Sequence, residues 1–228
     1  MIIMKEFSYK DIKIQWLGHD SFMVMGKTKN IYFDPYQLEK KKYPKADIII
    51  SSHEHMDHCH PESINIISNE KTVLIGPKVC QNIFKKDIPI KGEVKELNPY
   101  DKLSIEDIKI TAIPAYNSHR FRSPGMPFHP KEANHIGPIV EIDGVTLYHA
   151  GDADFIPEMK EIDVDIAFLP VSGKYVMDVE ECVQAAENIQ TKVIIPMHVG
   201  RGIGNLEATK ELKEKLPNRE VILLDIAD

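Results

Sequence analysis

Residues 46–58 read ADIIISSHEHMDH, and this stretch decides the fold. Its first half, 46–51, is an apolar run, which is typical of a strand buried on both faces. Imidazole and carboxylate groups suit zinc and other divalent ions, so the stretch predicts a metal site at the carboxyl end of a buried strand. The second half carries four candidate ligands of this kind: His53, His55, Asp57 and His58.

The spacing of these four residues predicts how they are shared between metals. In an extended segment, His53, His55 and Asp57 lie on one face and His58 points elsewhere. One short loop would then serve two ions. The alternative is a surface loop that is rich in histidine by chance, but four ligand-type residues at alternating spacing favour the metal site.

The rest of the chain is predicted to begin as short strands and then to alternate strands with helices. Two sheets covered by helices satisfy this order, and a length of 228 residues suits one domain spanning 1–228. The predicted strands are 12–17, 21–25, 30–33, 72–75, 94–97, 108–114, 138–142, 146–149, 165–169, 192–196 and 220–224. The predicted helices are 62–68, 78–85, 155–161, 179–189 and 206–216.

Residues 117–134 show no periodic pattern and contain three prolines. A long structureless loop inside a compact domain is usually functional or disordered. The loop carries His119 and His129, and His135 lies just beyond it. These histidines are therefore candidates for the functional site.

Two further strand ends carry single ligand-type residues. The pair Gly151-Asp152 follows the predicted strand 146–149, and His198 follows the strand 192–196. Each is a weak signal alone, because an aspartate after glycine is usually a turn or a helix cap and a single histidine is usually structural.

Taken together, HxHxDH at 53–58, the strand-end Gly151-Asp152 pair and the strand-end His198 resemble the metallo-β-lactamase superfamily over nearly the whole chain. Further segments resemble one branch of it, which holds small zinc-dependent hydrolases, the ascorbate-phosphate lactonase and the phospholipase D acting on N-acyl phosphatidylethanolamine. These segments are WLGHDS at 16–21, PAYN at 114–117, YHAGD at 148–152, LPVSG at 169–173, MD at 177–178 and PMH at 196–198.

The resemblance implies an α/β (α+β) fold, a four-layer αββα sandwich with the metals at one edge of the paired sheets. It also implies two divalent ions, with Zn expected first and Mn, Fe or Ni compatible with the same ligands. Carried over by position, the ligands are His53 and His55 for the first ion, Asp57, His58 and His198 for the second, and Asp152 as a bridge between them.

The first ion lacks one ligand of the family pattern. The pattern has a histidine shortly after the Pro-Ala pair, where this chain has Asn117, and a neutral amide oxygen binds zinc weakly. A catalytic zinc usually takes three protein ligands and a water, so the irregular loop is expected to supply the third. His129 is preferred because Pro127 and Pro130 would stiffen its presentation, and His119 is the alternative.

The implied activity is hydrolysis, in which a metal-bound hydroxide attacks a small ester, lactone or phosphodiester. Asp57 and His19 are assigned catalytic roles, Asp57 as a group that accepts a proton or orients the nucleophile. Asn117, Lys174 and Tyr175 are candidates for contact with the substrate, a small molecule that can be anionic.

Other functions use the same ligands: a nuclease or RNA-processing phosphodiesterase, a non-catalytic metal-binding domain, and a redox centre with iron. The formal net charge of -7 argues against a nucleic-acid partner. No apolar run suggests membrane insertion, and three separated cysteines without a CxxC pair favour a cytoplasmic protein.

Overall fold

A computed structural model describes residues 3–39, 43–89 and 92–227. Within these ranges the chain forms two seven-stranded sheets, a separate two-stranded hairpin and four α-helices. No helix in the described ranges has both the length and the apolar character needed to cross a bilayer. The helices are α1 (Pro61–Ile67), α2 (Gln81–Lys86), α3 (Val179–Asn188) and α4 (Glu207–Lys215).

The first sheet contains the N-terminal strands in the order in which they occur in the chain. They are β1 (Phe7–Tyr9), β2 (Ile12–Gly18), β3 (Ser21–Met25), β4 (Asn30–Phe33), β5 (Ile48–Ile50), β6 (Val73–Gly76) and β7 (Val94–Glu96). Strands β1 to β4 pair antiparallel, and β4 to β7 pair parallel. Because β4 and β5 are parallel neighbours, the residues after them lie side by side at one edge.

The second sheet has the order β16-β15-β14-β13-β12-β9-β8. Its strands are β8 (Lys102–Ile105), β9 (Ile108–Pro114), β12 (Ile136–Ile142), β13 (Val145–His149), β14 (Asp163–Pro170), β15 (Gln190–Met197) and β16 (Glu220–Val221). Strands β13 to β16 pair parallel, so their carboxyl ends also share one edge. The separate hairpin consists of β10 (Phe121–Ser123) and β11 (Met126–Pro127).

Alternate residues of the central strands belong to two different hydrophobic clusters. Ile31 and Phe33 of β4 pack with residues of the second sheet, while Tyr32 packs with residues of α1 and α2. Phe22 of the first sheet stacks on Phe168 of the second, with ring centroids 4.3 Å apart. Side chains alternate between the two faces of a strand, so both faces of the first sheet are covered. Helices α3 and α4 lie against β15 on the outside of the second sheet. The predicted αββα sandwich is confirmed.

The structure departs from the predicted elements where these are short or lie at an edge. The segment expected as a helix at 155–161 is a 3-10 helix, Pro157–Glu161, and the last strand is shorter than 220–224. The predicted irregular loop includes the hairpin β10–β11 and a 3-10 turn, Lys131–Ala133. Edge strands β1 and β8 were not predicted, because so short a segment with little buried surface carries little hydrophobic pattern.

Candidate metal centre

The loop after β5 forms turns and is not extended. The backbone N–H of His58 donates to the carbonyl oxygen of His55 at 2.9 Å, which closes a tight turn over the ligand segment. The expectation that His53, His55 and Asp57 share one face of an extended segment is therefore wrong. His58 nevertheless lies apart from His53 and His55, because the turn reverses the direction of the chain between them.

The first group of converging side chains comprises His53, His55 and His129. The Nδ1 atom of His55 lies 3.0 Å from Nε2 of His53 and 3.3 Å from Nε2 of His129. His53 and His129 are buried, and His55 is half-buried. The irregular loop thus brings His129 to the pair of histidines that precede it by more than seventy positions.

Hydrogen bonds on the far side of two of these rings determine which nitrogen faces the group. His53 Nδ1 donates to Ser52 Oγ, 3.0 Å away, because Ser52 gives its own proton to Asp34 at 2.6 Å. His129 Nδ1 donates to Asn117 Oδ1 at 2.9 Å, since an amide oxygen can only accept. The Nε2 lone pairs of both rings therefore point into the group. Converging lone pairs repel one another unless a cation lies between them, so this donor set fits a metal ion.

The second group comprises His58 and His198 together with the buried His19 and Asp20, and it adjoins the carboxylates of Asp57 and Asp152. Oδ1 of Asp152 lies 3.2 Å from His58 Nε2, and Oδ2 lies 3.3 Å from His198 Nε2. Asp57 Oδ2 is 3.7 Å from His58 Nε2. Oδ2 of Asp152 is also 3.3 Å from Nε2 of His129 in the first group. Asp152 therefore stands between the two groups.

Asp34, which the sequence analysis did not select, orients the second group. Its Oδ2 accepts a hydrogen bond from His58 Nδ1 at 2.8 Å, and His198 Nδ1 lies 2.7 Å from Ser172 Oγ. Both rings thereby present Nε2 to Asp152. Asp34 directly follows β4, beside β5. Asp152 was selected because it follows a predicted strand, and the same criterion selects Asp34 after the predicted strand 30–33.

Asp152 is ionised although it is buried. Burial raises the pKa of its carboxyl group, but the neighbouring His58, His198 and His129 outweigh burial and hold the pKa well below its usual range. Burial lowers the pKa of His53 well below its usual value and that of His129 to about 4. An ionised carboxylate and neutral imidazoles are the forms that bind a cation.

The pKa of His58 is raised, whereas the pKa values of His53 and His129 are lowered, and the cause of the rise also favours a cation. Burial lowers the pKa of its imidazole, but the carboxylates of Asp152 and Asp34 raise it well above the usual value. A positive charge is therefore stabilised between these two carboxylates. A metal ion on Nε2 would supply that charge in place of a proton, so binding should release the proton.

A cavity of about 570 Å³ opens over both groups and is large enough for a small molecule. Its floor holds ligand-type residues: His55, Asp57, His129 and Asp152. Its walls and mouth consist of cationic, aromatic and small residues: Arg122, Phe128, Lys174, Tyr175, Gly202, Ile203 and Gly204. The predicted substrate contacts Lys174 and Tyr175 thus lie where a substrate would enter.

His19 is fully buried and does not line this cavity. Its Nε2 lies 3.2 Å from Asp57 Oδ2, and burial lowers the pKa of its imidazole to about 4 despite that contact. His19 therefore stands behind Asp57. It can influence the chemistry through Asp57, and its ring centre also lies 4.4 Å from that of His198 and 5.2 Å from that of His58. A catalytic role for His19 stays a prediction.

Asn117 has no atom left for a substrate, contrary to the sequence-based expectation. Its Nδ2 donates to Asp154 Oδ1 and to the carbonyl oxygen of Tyr175, both at 2.9 Å. Its Oδ1 accepts from the backbone N–H and from Nδ1 of His129, both at 2.9 Å. The buried amide acts wholly within the protein, as a support for His129.

His119, the alternative ligand for the first ion, lies elsewhere. Its side chain is 56% exposed, with Nδ1 3.3 Å from Asp154 Oδ2 and Nε2 3.3 Å from Glu181 Oε2. It belongs to neither of the two groups around Asp152. The structure therefore brings His129, and not His119, to His53 and His55.

A family model described as a β-lactamase superfamily domain matches residues 13–198. The chain belongs to the β-lactamase superfamily. A superfamily relative from Methanocorpusculum labreanum, named as a metal-dependent hydrolase, is 34% identical over 197 residues, which is 82% of this chain and 83% of that protein. Another of that name, from Thermoplasma acidophilum, is 30% identical over 201 residues, which is 83% of this chain and 84% of the relative.

A solved superfamily structure agrees with these relatives. The crystal structure of a protein from Parabacteroides distasonis, described as a metal-dependent hydrolase, has a TM-score of 0.80 and 33% identity and covers 98% of both chains. The sequence-based predictions of the fold and of a metal-dependent hydrolase are confirmed at the level of the superfamily.

Proposed function

We propose that this chain is a dinuclear metal hydrolase that cleaves small anionic esters, lactones or phosphodiesters. The observation that carries the proposal is the position of the Asp152 carboxylate between the two ligand groups. Its Oδ2 lies 3.3 Å from Nε2 of both His129 and His198, and its Oδ1 lies 3.2 Å from Nε2 of His58. A carboxylate with imidazole nitrogens on both sides fits two divalent cations, zinc first among those that accept such ligands.

Each residue of the site has a role in this proposal. Two bound cations would lower the pKa of a shared water and polarise the bond to be cleaved. Asp57 faces the cavity and accepts a proton from the attacking water, and His19 holds its carboxylate in place. The first ion is assigned to His53, His55 and His129, the second to Asp57, His58 and His198, with Asp152 shared.

The proposed preference for anionic substrates is based on two cationic side chains at the mouth of the cavity, Arg122 and Lys174. Arg122 Cζ lies 5.9 Å from the ring centre of Phe128, and Lys174 Nζ lies 4.9 Å from that of Tyr175. The two rings meet edge to face at 4.9 Å. Within the described ranges neither cation has a carboxylate at ion-pair distance. Two unpaired charges beside an aromatic wall suit a substrate with an anionic group and an apolar part.

Replacing Arg122 and Lys174 with alanine is expected to weaken the binding of anionic substrates but not that of neutral ones. In Arg122→Ala/Lys174→Ala, KM for an anionic ester should rise about 2- to 30-fold, since each of the two exposed charge contacts is worth roughly 0.2–1 kcal/mol. KM for a neutral ester of the same shape and the metal content should not change. Lys85→Ala, which removes an exposed lysine on α2, is the matched control. An unchanged ratio of KM values for the two esters would contradict the anionic preference.

Elemental analysis combined with a hydrolysis screen over phosphodiesters, lactones and thioesters tests the proposed function as a whole. We expect two divalent ions per chain, loss of hydrolysis with a chelator and recovery with Zn²⁺. A metal-loaded protein that hydrolyses none of these substrates would contradict the proposal. Iron as the resident metal, together with oxygen or sulfur chemistry, would favour a redox function instead.

We also propose a cytoplasmic setting for this chemistry. Cys59, Cys80 and Cys182 are all free thiols and all buried. Unpaired thiols are usual in a reducing compartment, where disulfides are rare. The acidic chain, with a net charge of -7, also favours a small-molecule substrate over nucleic acid.

A further inference from the structure

Asp154 is fully buried two positions after Asp152, and its carboxylate accepts four hydrogen bonds from one short segment. A carboxylate that satisfies four donors within residues 117–120 holds that segment rigidly. The donors to Oδ1 are Asn117 Nδ2 at 2.9 Å and Arg120 Nη1 at 2.7 Å, and the donors to Oδ2 are the backbone N–H groups of Ser118 at 2.7 Å and His119 at 3.0 Å.

Asn117 connects this carboxylate to the first ligand group. Besides the two hydrogen bonds that its Oδ1 accepts from His129, its backbone N–H donates to the carbonyl oxygen of His129 at 2.8 Å. Asn117 therefore fixes both the backbone and the ring of His129.

The direction of the Asn117 amide depends on Asp154. Arg120 and the backbone N–H groups of Ser118 and His119 can only donate, so both oxygens of Asp154 accept. The amide therefore turns Nδ2 towards Asp154 and Oδ1 towards His129. An amide oxygen can only accept as well, so His129 must carry its proton on Nδ1. Nε2 of His129 is then left with a lone pair directed at His55 and Asp152.

The charge of Asp154 is balanced within the same segment, since Arg120 Nη1 lies 2.7 Å from its Oδ1. Arg120 in turn pairs with Glu181 of α3, which ties the segment to the helix layer.

We infer that Asp154 is a positioning residue for the first metal ion, acting through Asn117 on His129. This Asp154–Asn117–His129 relay rests on the proposed function, because it presumes that His129 is a ligand. It predicts that the first ion depends on a carboxylate that does not touch it. If Asp154 had a purely structural role, its replacement would lower the stability of the fold and would affect the two metal sites equally.

Asp154→Asn tests the relay, because it keeps the shape of the side chain but replaces one acceptor by a donor. We expect the affinity for the first Co²⁺ to fall roughly 10–100-fold, as for other groups that orient a metal-bound histidine, while the second Co²⁺ binds as in the wild type. Titration with Co²⁺ followed by visible absorbance, together with elemental analysis, measures both. His129→Ala, which removes the ligand itself, provides the reference for a lost first site.

Two variants serve as matched controls. Asp165→Asn alters another buried carboxylate, which accepts from Tyr9, Thr146 and Lys192 away from the cavity, and should leave both Co²⁺ affinities unchanged. His119→Ala removes a neighbour of Asp154 without touching Asn117 and should also leave them unchanged. A loss of the first Co²⁺ in His119→Ala would overturn the assignment of His129.

A double-mutant cycle distinguishes positioning from general destabilisation. In an Asn117→Leu background the relay is already broken, so adding Asp154→Asn should change the first Co²⁺ affinity no further. If Asp154→Asn does not fold by circular dichroism, Asn117→Leu alone decides, because Asp154 keeps Arg120 and two backbone donors in that variant.

The failure of the inference and the failure of the proposed function have different signatures. Wild-type affinity for both Co²⁺ ions in Asp154→Asn, or in Asn117→Leu, would overturn the relay. Wild-type protein that binds fewer than two Co²⁺ ions would instead count against the dinuclear site itself.

Discussion

Asp152→Ala is expected to lose most of both bound metals and to lower kcat/KM by about 10³-fold or more, or roughly 4 kcal/mol of transition-state stabilisation. The carboxylate stands 3.2 Å from His58 and 3.3 Å from both His129 and His198. Alanine removes the negative charge that both cations would share, so both sites weaken together. Elemental analysis after dialysis and the rate with the best substrate from the screen measure the two effects.

The fold should survive this substitution. Asp152 follows the end of β13 and does not belong to either hydrophobic cluster, so the far-ultraviolet circular dichroism spectrum should match that of the wild type. Asp163→Ala, at the exposed first residue of β14, is the control for a lost aspartate outside the site. Full metal occupancy and an unchanged rate in Asp152→Ala would show that this carboxylate does not bridge the two ions.

Asp57→Asn is expected to lower kcat by roughly 10²–10⁴-fold, the range found when a proton-accepting group is removed. Asp57 faces the cavity, and although burial raises the pKa of its carboxyl group, the contact with His19 lowers it below its usual value. An amide cannot accept that proton and binds zinc weakly. We therefore expect the second ion to bind less tightly as well, with the first ion retained.

The variant His19→Gln separates orientation of Asp57 from proton transfer. It keeps Asp57 but removes the imidazole 3.2 Å from its Oδ2, so kcat should fall by a smaller factor than in Asp57→Asn. Rates of both variants should be compared after loading with Zn²⁺ to equal occupancy. A wild-type kcat in Asp57→Asn at full occupancy would remove Asp57 from the chemistry and leave it at most a ligand.

The elements that sequence pattern predicted well are those with local causes. The apolar run before the histidines forms β5, buried on both faces, because a parallel central strand needs apolar residues in succession. The turn between β12 and β13 follows from Asp143 and Gly144, whose φ angles of +51° and +71° match the turn that such a pair favours. In both cases the residues that specify the strand or the turn lie within it or next to it in the sequence.

The supporting residues of the site escaped prediction because their partners are distant in the chain. Asp34 holds His58 from 24 positions away, and Asp154 holds Asn117 from 37 positions away. Asp34 can be selected by its place after a predicted strand, but the local sequence of neither aspartate identifies its partner. Only the arrangement of strand ends gives these carboxylates their histidine and amide partners.

Pattern and motif alone were enough to predict the two covered sheets, the membership of the superfamily and the placing of ligand-type residues at strand ends. They favoured His129 over His119 only through the flanking prolines, since both histidines lie in one irregular loop and both can bind a metal. The folded chain chooses through hydrogen bonds over long sequence separations: Asp154 turns the amide of Asn117, and that amide holds His129 twelve positions away. His119 is left with an exposed side chain beside the buried carboxylates of Asp154 and Glu181. A choice made by contacts between distant segments is not encoded in any local stretch of the sequence.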